Sequence, residues 1–184
     1  MTEEKVLLES QIREIYGRVV YTHKTHEKCA DVLKNRNDCL KITEIILSIL
    51  TTTSILAVIF GDGKVFQFLA ALFSTALLGL TLYSKDYNLL ALAERHKQAA
   101  LDILEIREKL LSLLVDIKIG NIDIITLQET RNELNEQLVN TYRGAPKTIN
   151  KAYKIASKAL QENEEFTFTD QEIDKFLPES LRRI

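Results

Sequence analysis

His23, His26 and Cys29 stand at i, i+3 and i+6, a spacing that on one helix could offer zinc two or three ligands. A lone helix rarely completes a tetrahedron, and His26 and Cys29 also fall on an apolar seam, so packing is the better reading and no metal is expected. His96, the one polar group in a second seam, is read in the same way, as a packing or register residue rather than an acid or base. A second chemistry is anion binding. Lys147, Lys151, Lys154 and Lys158 follow at spacings of four, three and four, preceded by Arg143, with no acidic residue between Arg143 and Leu160. On a helix these align their charges on one side, where they can meet the phosphates of nucleic acid, nucleotides or lipid headgroups. The plain alternative is a solvated face, or one paired with Glu162, Glu164 and Glu165. Glu44, Ser48, Thr51 and Thr52 form a third constellation, within about a quarter of a helical circumference. There is no Gly-rich phosphate loop and no nucleophile elbow, so neither an enzyme nor a cofactor is expected.

The elements that carry these residues are dominated by two apolar runs, Ile45 to Phe60 and Val65 to Tyr83, separated by Gly61-Asp62-Gly63-Lys64. Each approaches the roughly 20 residues a helix needs to cross a hydrocarbon core, and apolar residues cover every side. The pair reads as a transmembrane hairpin, the alternative being a hairpin buried in a soluble bundle. In the first span, Glu44, Ser48, Thr51 and Thr52 are candidates to line a pore, against the alternative that hydroxyls bond back to their own helix. In the second span, Ala71, Thr75 and Gly79 repeat every four residues, a small-residue ridge expected to pack the hairpin. Lys24, Lys28, Lys34, Arg36 and Lys41 precede the first span, Lys85, Arg95 and Lys97 follow the second, and the turn holds Lys64. The positive-inside rule then places both ends in the cytoplasm. No secretory signal precedes the first helix, and Cys29 and Cys39 read as reduced cytosolic thiols.

The chain has 184 residues and a formal net charge of −2, which suits one helical unit around the hairpin and implies neither a nucleic-acid binder nor an acidic solubiliser. Upstream, Leu8, Ile12, Ile15, Val19, Thr22, His26, Cys29, Leu33, Arg36 and Leu40 recur at spacings of four and three. Downstream, Leu89, Leu92, His96, Ala99, Ile103, Ile106, Leu110, Leu113 and Ile117 occupy a and d positions over about four heptads. These helices should continue the hairpin as an antiparallel pair, with the second seam also the expected assembly surface. Gly120 closes that helix, and Thr126 with Glu129 reads as the capping box of another. Gly144-Ala145-Pro146 breaks the chain again. Beyond it, Phe166, Phe168, Ile173, Phe176 and Leu177 form an apolar tail that must dock, with Thr169 and Glu172 as a further capping box. The organisation is an N-terminal cytosolic helix over 1–41, the hairpin over 42–85, a heptad helix over 86–119 and a helical region with docking tail over 120–184.

The run Tyr21-Thr22-His23-Lys24-Thr25-His26-Glu27-Lys28-Cys29-Ala30-Asp31, the paired spans, and Arg143-Gly144-Ala145-Pro146-Lys147-Thr148 followed by the Phe166 to Pro178 tail resemble the SLATT family, the SMODS- and SLOG-associating two-transmembrane effectors of prokaryotes. The resemblance covers essentially the whole chain and is nearest to the reverse-transcriptase-associated type. It implies an effector of antiviral or other conflict systems that perforates the bacterial inner membrane and stops growth or kills the infected cell. Its implied partners are a cytosolic sensor, either a reverse transcriptase or a nucleotide-signalling module, and nucleic acid directly or through that sensor. Two helices cannot enclose a lumen, so perforation requires a homo-oligomer in membrane lipid. The reading is an all-α two-span protein acting as a gated pore. The alternatives are a membrane-anchored adaptor without conductance and a soluble helical scaffold for a nucleic-acid enzyme.

Overall fold

The computed structural model describes residues 3–61 and 63–175, and all the regular structure in them is α-helix. Helix α1, Glu3–Phe60, runs unbroken for 58 residues, about 87 Å at 1.5 Å per residue. Both prolines of the chain, Pro146 and Pro178, lie outside it, and Gly17 is its sole glycine, so no residue type within it forces a break. The helix passes through residues 41 and 42 without a joint. One rod carries the N-terminal seam straight into the first span.

Helix α2, Lys64–Asp86, returns antiparallel after a turn in which Phe66 N donates to Gly63 O at 3.0 Å. A Cβ added at Gly63 would come within 2.8 Å of the Phe66 ring, which favours glycine there. Asn88 caps α3, Leu89–Ile119, by accepting from Ala91 N at 2.9 Å. Gly120 then ends α3 in the left-handed region, φ 84°, as the sequence predicts. Helix α4 spans Ile124–Gly144, α5 Asn150–Gln161 and α6 Asp170–Asp174. The cap of α4 is not the expected Thr126–Glu129 box. Asp123 accepts from Ile125 N and Thr126 N, and the Thr126 hydroxyl donates to that carboxylate at 2.6 Å. The Thr169–Glu172 box at α6 is formed in both directions.

Helices α1 and α3 lie antiparallel, with Lys5 donating to Ile122 O at 2.8 Å at one end and His26 meeting His96 further along. Their two seams interdigitate with each other and with α4 to form the main core, Leu8, Ile12, Ile15 and Val19 against Ile103, Ile106, Leu110, Leu113 and Ile117, closed by Leu127, Leu134 and Leu138. Nearer the membrane, Leu33, Leu89 and Ala93 pack with Leu40, Leu92 and Ile149. The α3 seam expected to assemble subunits is thus spent inside the monomer. Leu89, His96, Ala99, Ile103, Ile106, Leu110, Leu113 and Ile117 are all buried there, and Leu92 is half-buried. The physical reason is proximity: α1 is tethered to α3 through the hairpin and supplies a matching seam at far higher effective concentration than another copy.

Both apolar stretches are long and apolar enough to cross a membrane. No described residue of α2 is buried, and Ser54 is the one buried residue in the apolar run of α1, so the hairpin stands clear of the bundle instead of forming its centre. Large side chains such as Ile59, Phe60, Phe68, Leu72 and Leu78 are exposed along it. A soluble protein rarely leaves so long an apolar surface uncovered.

Candidate functional site

A buried polar layer interrupts the bundle where α1, α3 and α5 meet. His23, Lys24, Thr25 and His26 on α1 and His96 on α3 are each at most 6% exposed, a run of polar burial that the flanking seams do not show. Nδ1 of His26 and Nδ1 of His96 lie 3.0 Å apart, so one ring donates and the other accepts. Nε2 of His96 has no partner among the described residues. Placing the Nδ1 proton on His96 leaves that Nε2 a bare acceptor rather than an orphaned donor, the cheaper arrangement. Burial, with the neighbouring His96 and His23 adding to it, lowers the His26 pKa to about 4, and burial lowers that of His96 as well. Both imidazoles are therefore neutral at physiological pH.

His23 is fixed by a donor on one side and a carboxylate on the other. Arg107 Nη1 lies 3.3 Å from Nδ1, and since guanidinium can only donate, the His23 proton sits on Nε2, 3.6 Å from Glu27. Burial lowers the His23 pKa, Glu27 opposes that, and Arg107 and Lys24 reinforce it. Cys29 accepts from Ile149 N at 3.4 Å, and burial raises its pKa, so the thiol is a packing group and not a nucleophile. No cluster of three or more metal-ligating side chains occurs among the described residues.

On its outer side this layer is covered by α5 and the segment after it. Ala152, Ala156 and Ala159 bury against the bundle, which turns Lys151, Lys154 and Lys158 outward. Lys147 lies in the connection before α5 and Arg143 at the end of α4, both exposed, so only three of the five basic residues share the helix. Of the acidic residues beyond, Glu162 approaches Lys158 at 3.7 Å. Glu165 instead reaches α1, where it meets Lys24 at 2.6 Å and Lys28 at 3.7 Å. Phe166 stacks on His23, with ring centroids 5.4 Å apart, whereas Phe168 and Ile173 are exposed. Phe176 and Leu177 lie outside the described residues.

In the first span the four polar residues straddle the edge of the half-buried face. Glu44 and Thr51 are half-buried, on the face that also carries Leu47 and Ser54, while Ser48 and Thr52 are exposed on its flank. Hydroxyls bond back to the helix: Ser48 to Glu44 O, Thr51 to Leu47 O and Thr52 to Ser48 O. Glu44 Oε1 is shielded and has no partner among the described residues. The small-residue ridge does not pack the hairpin. Ala71, Thr75 and Gly79 are exposed, and the half-buried residues of α2 include Leu69, Phe73, Leu77, Leu80 and Ser84, centred on the opposite side of the helix. Bulky residues win the contact because interdigitated Phe and Leu bury more surface than a row of small groups. A Cβ built at Gly79 meets nothing within 4 Å.

Lys24 and Arg107, which hold the tail, are not legible as site residues in the sequence. Lys24 counts there as one more cation beside the membrane, and Arg107 as a polar position next to the seam. A family model described as SMODS and SLOG-associating 2TM effector domain family 4 matches residues 8–172. Among curated proteins and among solved structures nothing matches.

Proposed function

The chain belongs to family 4 of the SMODS- and SLOG-associating two-transmembrane effector domains, and from that premise we propose that it is a pore-forming effector of a prokaryotic antiviral defence system. Several copies assemble in the bacterial inner membrane, a cytosolic partner triggers them, and the resulting leak arrests growth or kills the cell. The observation that carries the reading is the continuity of α1: one helix without a joint links the polar layer at His23 and His26 to the first span. A change in the cytosolic bundle therefore tilts or turns that span as a lever would, with no hinge to absorb it. The trigger is a sensor protein, a reverse transcriptase or a nucleotide-signalling module, acting on the cytosolic helices. Nucleic acid meets the basic residues Arg143, Lys147, Lys151, Lys154 and Lys158 either directly or through that sensor.

Neighbouring hairpins pack through the open ridge Ala71, Thr75 and Gly79, which permits close backbone approach, and Ser48 and Thr52 then face the lumen with Glu44 at its cytosolic mouth. Ser48→Leu with Thr52→Leu is expected to abolish triggered conductance in planar bilayers and growth arrest in cells by dewetting the lumen, with insertion intact because the span becomes more apolar. Currents equal to wild type in the double variant would remove this face from the pore. If wild type with its partners carried no current at all, the membrane-anchored adaptor would be the better account.

Orientation is tested separately. Both termini are cytoplasmic in this reading, so a cysteine placed at Asp62 reacts with an impermeant thiol reagent applied to spheroplasts, and Cys39 reacts only after permeabilisation. Cys39 is the suitable inner reporter because it is exposed, whereas Cys29 is buried and would be silent on either side. Labelling of Cys39 in sealed spheroplasts would reverse the topology.

A further inference from the structure

Beyond α5 the chain turns at Glu164, a non-glycine residue at φ 50°, and crosses α1 at the polar layer. Three attachments hold it. Gln161 donates to the Tyr21 hydroxyl at 2.6 Å. The Glu165 carboxylate takes the ammonium of Lys24, whose side chain is 8% exposed, and approaches that of Lys28. The Phe166 ring lies over His23, with Lys24 Nζ 4.4 Å and the Arg107 guanidinium carbon 4.7 Å from its centroid. Since Arg107 belongs to α3, Phe166 ties α1 to α3. His23, Lys24 and Lys28 also line an open groove of about 690 Å3 between the same two helices, together with the buried Ala93 and Ala100.

The chemistry of these attachments makes them hold or release together. Lys24 is a nearly buried ammonium with two carboxylate partners, Glu165 and Glu27, the latter at 3.0 Å. Burial would lower its pKa, but the hydrogen bonds it donates to Glu165 and Glu27 outweigh that and raise it. Lifting Glu165 away leaves a buried cation half-paired, and the adjoining Phe166 ring that shields it is drawn off with the same stretch of chain, so partial release is costly. The segment is otherwise irregular chain without a core of its own. Immediately beyond it, Phe168 and Ile173 stand exposed at 65% and 41% and offer apolar handles to a protein partner.

We propose that residues 161–166 are an autoinhibitory latch: seated, they clamp α1 to α3 and hold the hairpin silent; pulled away by a cytosolic protein that grips the apolar residues beyond, they free the pair to rearrange. The proposal rests on the effector reading and names its regulation. Lys24→Glu and Glu165→Lys each place like charges together and unseat the segment, while the double exchange restores an attractive pair. Spin labels at exposed Arg18 and Thr167, in a chain with Cys39 replaced by Ser, read the latch directly by their distance distribution. Growth of expressing cells reads its consequence.

Each single variant should show a broad, lengthened distance distribution and arrest growth without any trigger, and the double exchange should move both back toward wild type. Recovery in the double exchange also shows that the single variants had not simply misfolded. Three results would overturn the latch. The distribution could stay narrow in the single variants. It could broaden while cells grow normally, in a host where strongly overproduced wild type arrests growth, which would leave the segment a packing element and the effector reading intact. Broadening with neither the variants nor overproduced wild type arresting growth would remove the effector reading and the latch with it.

Discussion

Ile103→Asp combined with Leu110→Asp should unfold the helical bundle, not merely separate subunits. These side chains are 0% and 1% exposed and sit in the shared core of α1, α3 and α4. Each substitution removes a buried aliphatic group, worth about 2–5 kcal/mol, and adds a carboxyl with no partner in an apolar site, a further few kcal/mol. Together they are comparable to the roughly 5–15 kcal/mol by which a domain of this kind is stable. Far-UV circular dichroism of the purified protein should lose its cooperative melt and keep the residual helicity of the inserted hairpin. The contrasting pair is Leu101→Asp with Val115→Asp, each 50% exposed on the outer side of α3, where the melt should shift by about 1 kcal/mol or less. A wild-type melt for the inner pair, with only its oligomers lost, would return the seam to a role between subunits.

Acidification should weaken the bundle through its buried imidazoles. His26 has a folded pKa of about 4 against an unfolded value of 6.5, and the pKa of His96 is lowered too. The neutral form is the one the fold accepts, so the stability is fully present above about pH 6.5. As pH falls below that, the unfolded chain takes up the proton and the folded chain does not, and stability drops until the folded pKa near 4 is passed. For His26 this amounts to roughly 3 kcal/mol at 1.36 kcal/mol per pKa unit, with His96 adding in the same direction. Replacing both, His26→Leu with His96→Phe, exchanges a desolvated polar pair for apolar groups and should flatten the decline of the urea midpoint between pH 7 and 5. An equally steep decline in that variant would assign the acid sensitivity to other groups.

Much of the fold is legible in the chain because it depends on periodicity and on length. The seams of α1 and α3 can be read residue by residue: positions spaced by three and four can share one face only on a helix, and the buried faces follow them closely from Leu8 to Leu33 and from Leu89 to Ile117. The hairpin is equally legible, since two runs of that length and apolarity leave few alternatives. The stops at Gly120 and Gly144 and the box at Thr169 are local chemistry that needs no tertiary context.

Which element covers a given face was decided only by the tertiary structure. A heptad seam states that something packs against it and not whether that is α1 of the same chain or α3 of another, and the tether through the hairpin gave it to α1. A ridge of Ala71, Thr75 and Gly79 states only that close approach is allowed there, and the larger apolar residues on the other side of α2 took the contact with α1. The attachment of Glu165 and Phe166 to Lys24, His23 and Arg107 joins residues between 59 and 143 positions apart in the chain. No local pattern encodes such a meeting: Lys24 looks like any exposed lysine until the tail, returning from α5, supplies the carboxylate and the ring that make its burial tolerable.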